Sequence, residues 1–229
     1  MTGMLASVNS VAEALLVLEA AVDIIDLKQP ALGALGALDV SDVKRIVAAI
    51  DGRCPVSATI GDMPMQPEPV FDAVLAMAET GVDYVKIGFF PGDDWPGTVK
   101  KLSVLTRQNR ALIAVLFADT RPDLGIMNLL KAEGFTGVML DTMNKRQGSL
   151  TQIMAAAELA HFVAQAKALQ LLCGLAGSLR LADIPGLLPL NADYLGFRGA
   201  LCQEHARVGR LSKPAVLAIR QAMQHAGVA

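Results

Sequence analysis

Short apolar runs alternate with helix-like stretches eight times along these 229 residues, and that alternation limits the fold more than any single motif does. The predicted strands are Met4 to Ser7, Val22 to Leu27, Pro55 to Ile60, Tyr84 to Phe89, Leu112 to Phe117, Gly137 to Leu140, Leu171 to Leu175 and Tyr194 to Phe197. The helical patterns between and after them cover Ser10 to Ala20, Asp39 to Ile50, Glu68 to Thr80, Asp94 to Gln108, Asp123 to Glu133, Ser149 to Ala168, Leu181 to Leu187 and Lys213 to His225. Asp39 or Ser41 is available to cap the second helix, and Gly81 and Gly134 stop the third and fifth. Eight strand–helix units in one α/β chain predict a single-domain (β/α)8 TIM barrel over residues 1–229, close to the roughly 250 residues typical of that fold. A doubly wound open sheet competes, but it usually needs fewer strands, and the first strand here lacks a glycine-rich dinucleotide turn. Hydrophobic residues make up 53% of the chain and aromatics only 4%, so the core is aliphatic, as expected for parallel strands covered by helices.

Within that pattern three lysines stand where lysine is uncommon. Lys28 closes the second apolar run, Lys86 lies inside the fourth, and Lys145 follows Asp141 at the end of the sixth. Lysine is seldom buried without a partner. The sites are 58 and then, counted to Asp141, 55 positions apart, about two strand–helix units per step. Alternate strands of a barrel feed one layer of inward side chains, so Lys28, Lys86, Asp141 and Arg198, all on even strands, are expected to share a pocket. Val85 and Ile87 would face the helices, turning Lys86 toward the barrel axis. Asp26, two residues before Lys28, can face the same side and tune or deprotonate its amine. A desolvated lysine has a lowered pKa and can trap a carbonyl. The alternatives are a structural Lys–Asp pair at Lys86 and solvated loop lysines at Lys28 and Lys145.

Glycine-rich turns follow strands seven and eight, where barrels often hold phosphate on backbone N–H groups. Gly177, Ser178 and Gly199 are the expected contacts, with Arg198 as the charged partner. Asp62 and Asp119 end strands three and five; each can serve as a supporting acid–base group or cap the following helix. Cys54, Cys173 and Cys202 are odd in number and widely spaced, as reduced thiols would be. His161, His205 and His225 lack metal-ligand spacing, so neither a metal nor an organic cofactor is expected. A net charge of −2 without a basic tract argues against nucleic acid. The start resembles no leader, and no apolar run reaches spanning length, which predicts a cytoplasmic chain with no membrane partner. Alanine-rich outer helices could pair into a homo-oligomer.

The stretches Asp23-Ile-Ile-Asp-Leu-Lys28-Gln-Pro30, Gly33-Ala-Leu-Gly-Ala37, Pro55-Val-Ser-Ala-Thr-Ile-Gly-Asp62, Tyr84-Val-Lys-Ile-Gly88 and Leu140-Asp-Thr-Met-Asn-Lys145 together resemble the (5-formylfuran-3-yl)methyl phosphate synthase family of methanofuran biosynthesis. The resemblance covers nearly the whole chain. It implies a (β/α)8 carbon–oxygen lyase that joins two glyceraldehyde 3-phosphate molecules into 4-(hydroxymethyl)-2-furaldehyde phosphate, with loss of phosphate and water. It further implies Lys28 as the Schiff-base lysine, with Lys86, Asp141 and Lys145 at the other active-site positions. Gln29 and Ala34 depart from the family pattern, which bears on substrate positioning rather than on the lysines. A general class I aldolase on phosphorylated sugars would use the same groups. A noncatalytic phosphate-ligand sensor would use the loops but leave the interior lysine without a role.

Overall fold

The computed structural model describes residues 1–92 and 94–225; the last four residues of the expected domain and the His225 side chain lie outside the described residues. Eight parallel strands close into a barrel in sequence order: β1 (Gly3–Val8), β2 (Ile24–Leu27), β3 (Val56–Thr59), β4 (Tyr84–Phe89), β5 (Leu112–Phe117), β6 (Gly137–Asp141), β7 (Leu172–Leu175) and β8 (Tyr194–Phe197). Helices α1 (Val11–Glu19), α2 (Val40–Ile50), α3 (Pro67–Ala78), α4 (Trp95–Thr106), α5 (Ile126–Ala132), α6 (Leu150–Ile153), α7 (Ala156–Ala168), α8 (Ile184–Leu187) and α9 (Lys213–His225) cover the outside. The expected barrel is therefore observed, and the open sheet is not.

Two apolar clusters divide the core. The larger lies between strands and helices and takes the outward strand residues, such as Ile25, Val85, Ile87 and Leu140. The smaller fills the barrel itself, with Leu5, Ile24, Val115, Phe117, Met139 and Ala176. Alternation along each strand decides which cluster a residue joins.

Helix ends follow local chemistry. The Ser10 hydroxyl accepts from Glu13 N–H at the start of α1, and the Asp94 carboxylate accepts from Gly97 N–H at 2.7 Å at the start of α4. Asp39 takes the N-cap position of α2, but its side chain makes no capping bond. Two predicted helices need correction. The helix expected from Asp123 begins at Ile126, because the Asp123 carboxylate folds a turn by accepting from Gly125 N–H at 2.8 Å. The long helix expected over Ser149 to Ala168 is two helices. Met154 and Ala155 are extended (ψ 136° and 151°), and the Glu158 carboxylate restarts the helix by accepting from Ala155 N–H. The short α6 has its own capping pair, with Gln152 accepting from Ser149 N–H, and Leu150 N–H bonds the Gly177 carbonyl. The break thus ties α6 to the turn after β7. Among the described residues no helix is long and apolar enough to cross a membrane.

Candidate active site

Polar groups gather at the C-terminal ends of the strands in two tiers. In the deeper tier, Asp26 is fully buried. One of its oxygens accepts from Ser57 Oγ at 2.7 Å and from Lys86 Nζ at 3.0 Å, and the other from Ser7 Oγ at 2.9 Å. Lys86 is 3% exposed, so this is a desolvated ion pair with its hydrogen bonds supplied. Burial pushes the Asp26 carboxyl up, but Lys86, Lys28 and the Ser57 hydroxyl outweigh it and leave the pKa below the usual carboxylate value.

The upper tier holds Lys28 and Asp141. The backbone N–H of Lys28 bonds the Val8 carbonyl, which fixes its position beside the end of β1. Its side chain is 7% exposed and its Nζ makes no hydrogen bond or ion pair with the described residues. Loss of solvent lowers its pKa to about 8; the Asp141 and Asp26 carboxylates oppose that shift, and Lys145 and Lys86 assist it. Asp141, also buried, accepts from Lys145 Nζ at 2.5 Å and from Thr142 N–H at 2.7 Å. Burial raises its pKa, but Lys145 and Lys28 reverse the sign, so it is ionised at neutral pH.

Lys28, Lys86, Asp141, Lys145, Gly177, Ser178, Arg198 and Gly199 line one cavity of about 180 Å³. The expected convergence of even strands is present, with one correction: the four groups do not form a single layer. Lys86 pairs with Asp26, two residues below Lys28 on the same strand, so it sits one tier deeper than Lys28, Asp141 and Arg198. Asp26 accordingly serves Lys86 directly and reaches Lys28 only through its field.

Other assignments change in detail. Arg198 lines the cavity, yet each guanidinium nitrogen is already engaged: Nε with the Arg207 carbonyl, Nη1 with the Ser7 carbonyl and Glu13, Nη2 with Glu13 and the Gly209 carbonyl. Asp62 and Asp119 cap no following helix through their side chains. Asp62 accepts from Ala34 and Leu35 N–H at 2.8 and 2.7 Å, bracing the loop after Lys28. Asp119 accepts from Met143 and Asn144 N–H at 2.8 and 2.7 Å, bracing the loop that carries Lys145. The two atypical residues also fall on the first of these loops: Gln29 caps the turn at Ala31, and Ala34 gives its N–H to Asp62. Gly177 (φ 116°) lets the turn after β7 pass close to Thr142, since a Cβ there would lie 2.8 Å from the threonine methyl.

Ser7, Arg180 and Arg207, which carry no sequence motif, and His205, which lacks metal-ligand spacing, also line the cavity. Ser7 had a signal, as a polar end to an apolar strand. Arg180, His205 and Arg207 lie in polar loops that read as ordinary surface. The three cysteines are free and buried. Burial raises each thiol, that of Cys173 to about 12, and none of the three lines the cavity. Among the described residues no group of three His, Cys, Asp or Glu could hold a metal ion.

A family model described as 4-HFC-P synthase matches residues 4–220. A Methylorubrum extorquens protein provisionally named (5-formylfuran-3-yl)methyl phosphate synthase is 41% identical, over 96% of this chain and 91% of that protein. The (5-formylfuran-3-yl)methyl phosphate synthase of Methanococcus maripaludis is 33% identical, over 93% and 95%. Among solved structures, phosphoribosyl anthranilate isomerase from Thermus thermophilus matches with a TM-score of 0.69, covering 97% of this chain and 98% of that one. At 13% identity that likeness speaks for the barrel alone.

Proposed function

The chain belongs to the 4-HFC-P synthase family, and we propose that it joins two glyceraldehyde 3-phosphate molecules into (5-formylfuran-3-yl)methyl phosphate through an imine on Lys28, as a step toward a methanofuran-type cofactor. Two triose phosphates contain the atoms of one furan phosphate, one inorganic phosphate and two waters, so the conversion needs no oxidant. It does need a nucleophilic carbon beside a carbonyl, and a lysine imine makes that neighbouring C–H acidic.

The observation that carries the reading is the unpaired amine of Lys28, with a pKa near 8, in the mouth of a cavity lined by cations. At pH 7 about a tenth of such an amine is neutral, against roughly one part in a few thousand for an ordinary lysine. Addition to the aldehyde and loss of water give the imine. Asp141, ionised and 2.5 Å from Lys145, forms with it an acid–base pair. Its carboxylate can take a proton from the substrate, and the Lys145 ammonium can give one to a departing oxygen. Lys86 and Asp26, neutralising each other below, keep a fixed dipole under the reacting carbons without competing for the aldehyde.

Incubation with glyceraldehyde 3-phosphate should yield furan absorbance and one phosphate per furan. Borohydride added during turnover should attach the triose to Lys28. Full activity in Lys28→Ala would sink the imine assignment, and triose condensation without furan would favour a general aldolase.

A further inference from the structure

Six cationic side chains line the cavity, and three of them are neutralised by carboxylates: Lys86 by Asp26, Lys145 by Asp141, and Arg198 by Glu13. Lys28, Arg180 and Arg207 have no carboxylate within ion-pair distance among the described residues. Arg207 belongs to the long loop between β8 and α9, and Arg198 shapes that loop by bonding the Arg207 and Gly209 carbonyls at 2.9 Å each. The Cys202–Leu211 bridge and the bond from Gln203 N–H to the Arg210 carbonyl close its base. The loop therefore returns Arg207 over the mouth, where its Nη2 donates to the Gly33 carbonyl at 2.9 Å in the loop after Lys28. That is the one hydrogen bond its guanidinium makes among the described residues, so most of its donors are free.

Resting on the reaction above, which brings phosphate esters to this mouth, we propose that Arg207 holds a substrate phosphate together with Arg180, across the space in front of Gly199. A Cβ placed at Gly199 would lie 3.4 Å from the His205 carbonyl, 3.7 Å from Arg180 Nη1 and 3.8 Å from Arg207 Cβ, so both arginines border the space beside Gly199. The fork of a guanidinium matches two phosphate oxygens. Arg198 is the support that aims the loop, since its own donors are engaged. A triose phosphate then meets three unpaired cations in complementary roles: one amine for the aldehyde and two guanidiniums for the phosphate. The Gly33 bond also links phosphate capture to the loop after Lys28, because one guanidinium would hold that carbonyl and the anion together.

Calorimetric titration with inorganic phosphate tests this on wild type, Arg207→Gln and Arg207→Lys, alongside steady-state kinetics with glyceraldehyde 3-phosphate. Arg207→Gln should raise the phosphate Kd and the KM by roughly 10- to 100-fold, with a smaller change in kcat, and Arg207→Lys should recover part of the loss. Gly199→Val should weaken phosphate similarly by filling that space. Unchanged phosphate affinity in a folded Arg207→Gln protein overturns the proposal, as does a loss confined to kcat. If wild type makes no furan, the proposed reaction fails, while the phosphate titration still decides the role of Arg207.

Discussion

The two tiers of the barrel mouth handle the same problem, a lysine removed from water, in opposite ways. Below, Lys86 is 3% exposed and meets Asp26 at 3.0 Å, with both serine hydroxyls completing the carboxylate's bonds. Above, Lys28 is nearly as buried, at 7%, and its amine makes no hydrogen bond or ion pair among the described residues. The nearest acid on its tier, Asp141, is taken by Lys145 at 2.5 Å. Without a bonded carboxylate, desolvation brings the Lys28 pKa down to about 8. What separates the two lysines is who holds the carboxylate: Asp26 bonds Lys86, whereas Asp141 bonds Lys145 and not Lys28. Lys145 thus shapes Lys28 twice: it adds like charge nearby, and it engages the acid that would otherwise pin the amine.

The contrast breaks most visibly by mutation. Lys28→Met should lower kcat/KM by about 10³-fold or more, because it removes the amine of the proposed imine, and borohydride should no longer label the chain. The same change should stabilise the fold at pH 7 by about 3 kcal/mol, since a pKa depressed from about 10.4 to about 8 reflects a charged form disfavoured by roughly that much. Lys86→Met should do the reverse to stability. It leaves Asp26 buried with no cation bonded to it, a loss of about 3–5 kcal/mol in denaturant melts. Adding Asp26→Asn should return much of that. If Lys28→Met destabilises as much as Lys86→Met, the two lysines are not different in kind.

Acidity sharpens the same distinction. The unfolded chain holds its lysine protons up to about pH 10.4, and the folded chain releases that of Lys28 near 8. Between those values the unfolded state binds more protons, so wild-type stability rises with pH there. The advantage of Lys28→Met over wild type should therefore be full below pH 8 and fade toward zero by about pH 10.5, as urea melts at several pH values would show. Imine formation should rise through the same pKa, measured as the initial rate of borohydride trapping. A pH-independent difference between the two proteins would place the Lys28 pKa elsewhere.

Period and alternation made the barrel legible, because strands buried on both faces are read from apolar runs and Lys86 between Val85 and Ile87 can point only inward. Strand ends told where Lys28, Asp141 and the two glycine turns would meet. Three things had no local signal. The pairing of Asp26 with Lys86 rather than Lys28 depends on register between β2, β3 and β4. The helix break at Met154 depends on Glu158 outbidding a continuous apolar pattern. The engagement of Arg198 inside the fold depends on Glu13, which is 185 residues away from it in the chain. Long-range partners decided each of these, and a sequence shows side chains without their partners.

The smallest effects test how the two tiers are kept in place. Asp119 holds the loop of Lys145 through two N–H groups, and Asp62 holds the loop after Lys28 in the same way. Asp62 is exposed and Asp119 half-buried, and each acts on a loop rather than on the reacting groups. Asn keeps one acceptor and loses the charge, so each change should cost about 1 kcal/mol or less of stability. Their kinetic signatures should differ. Asp119→Asn loosens Lys145 and frees Asp141 to approach Lys28, so the Lys28 pKa should rise and the trapping profile should shift to higher pH. Asp62→Asn loosens the loop that Arg207 touches at Gly33 and should raise KM several-fold while leaving that profile in place. A pH shift in Asp62→Asn, or none in Asp119→Asn, would mean that the Lys145–Asp141 pair is not what keeps the Lys28 amine free.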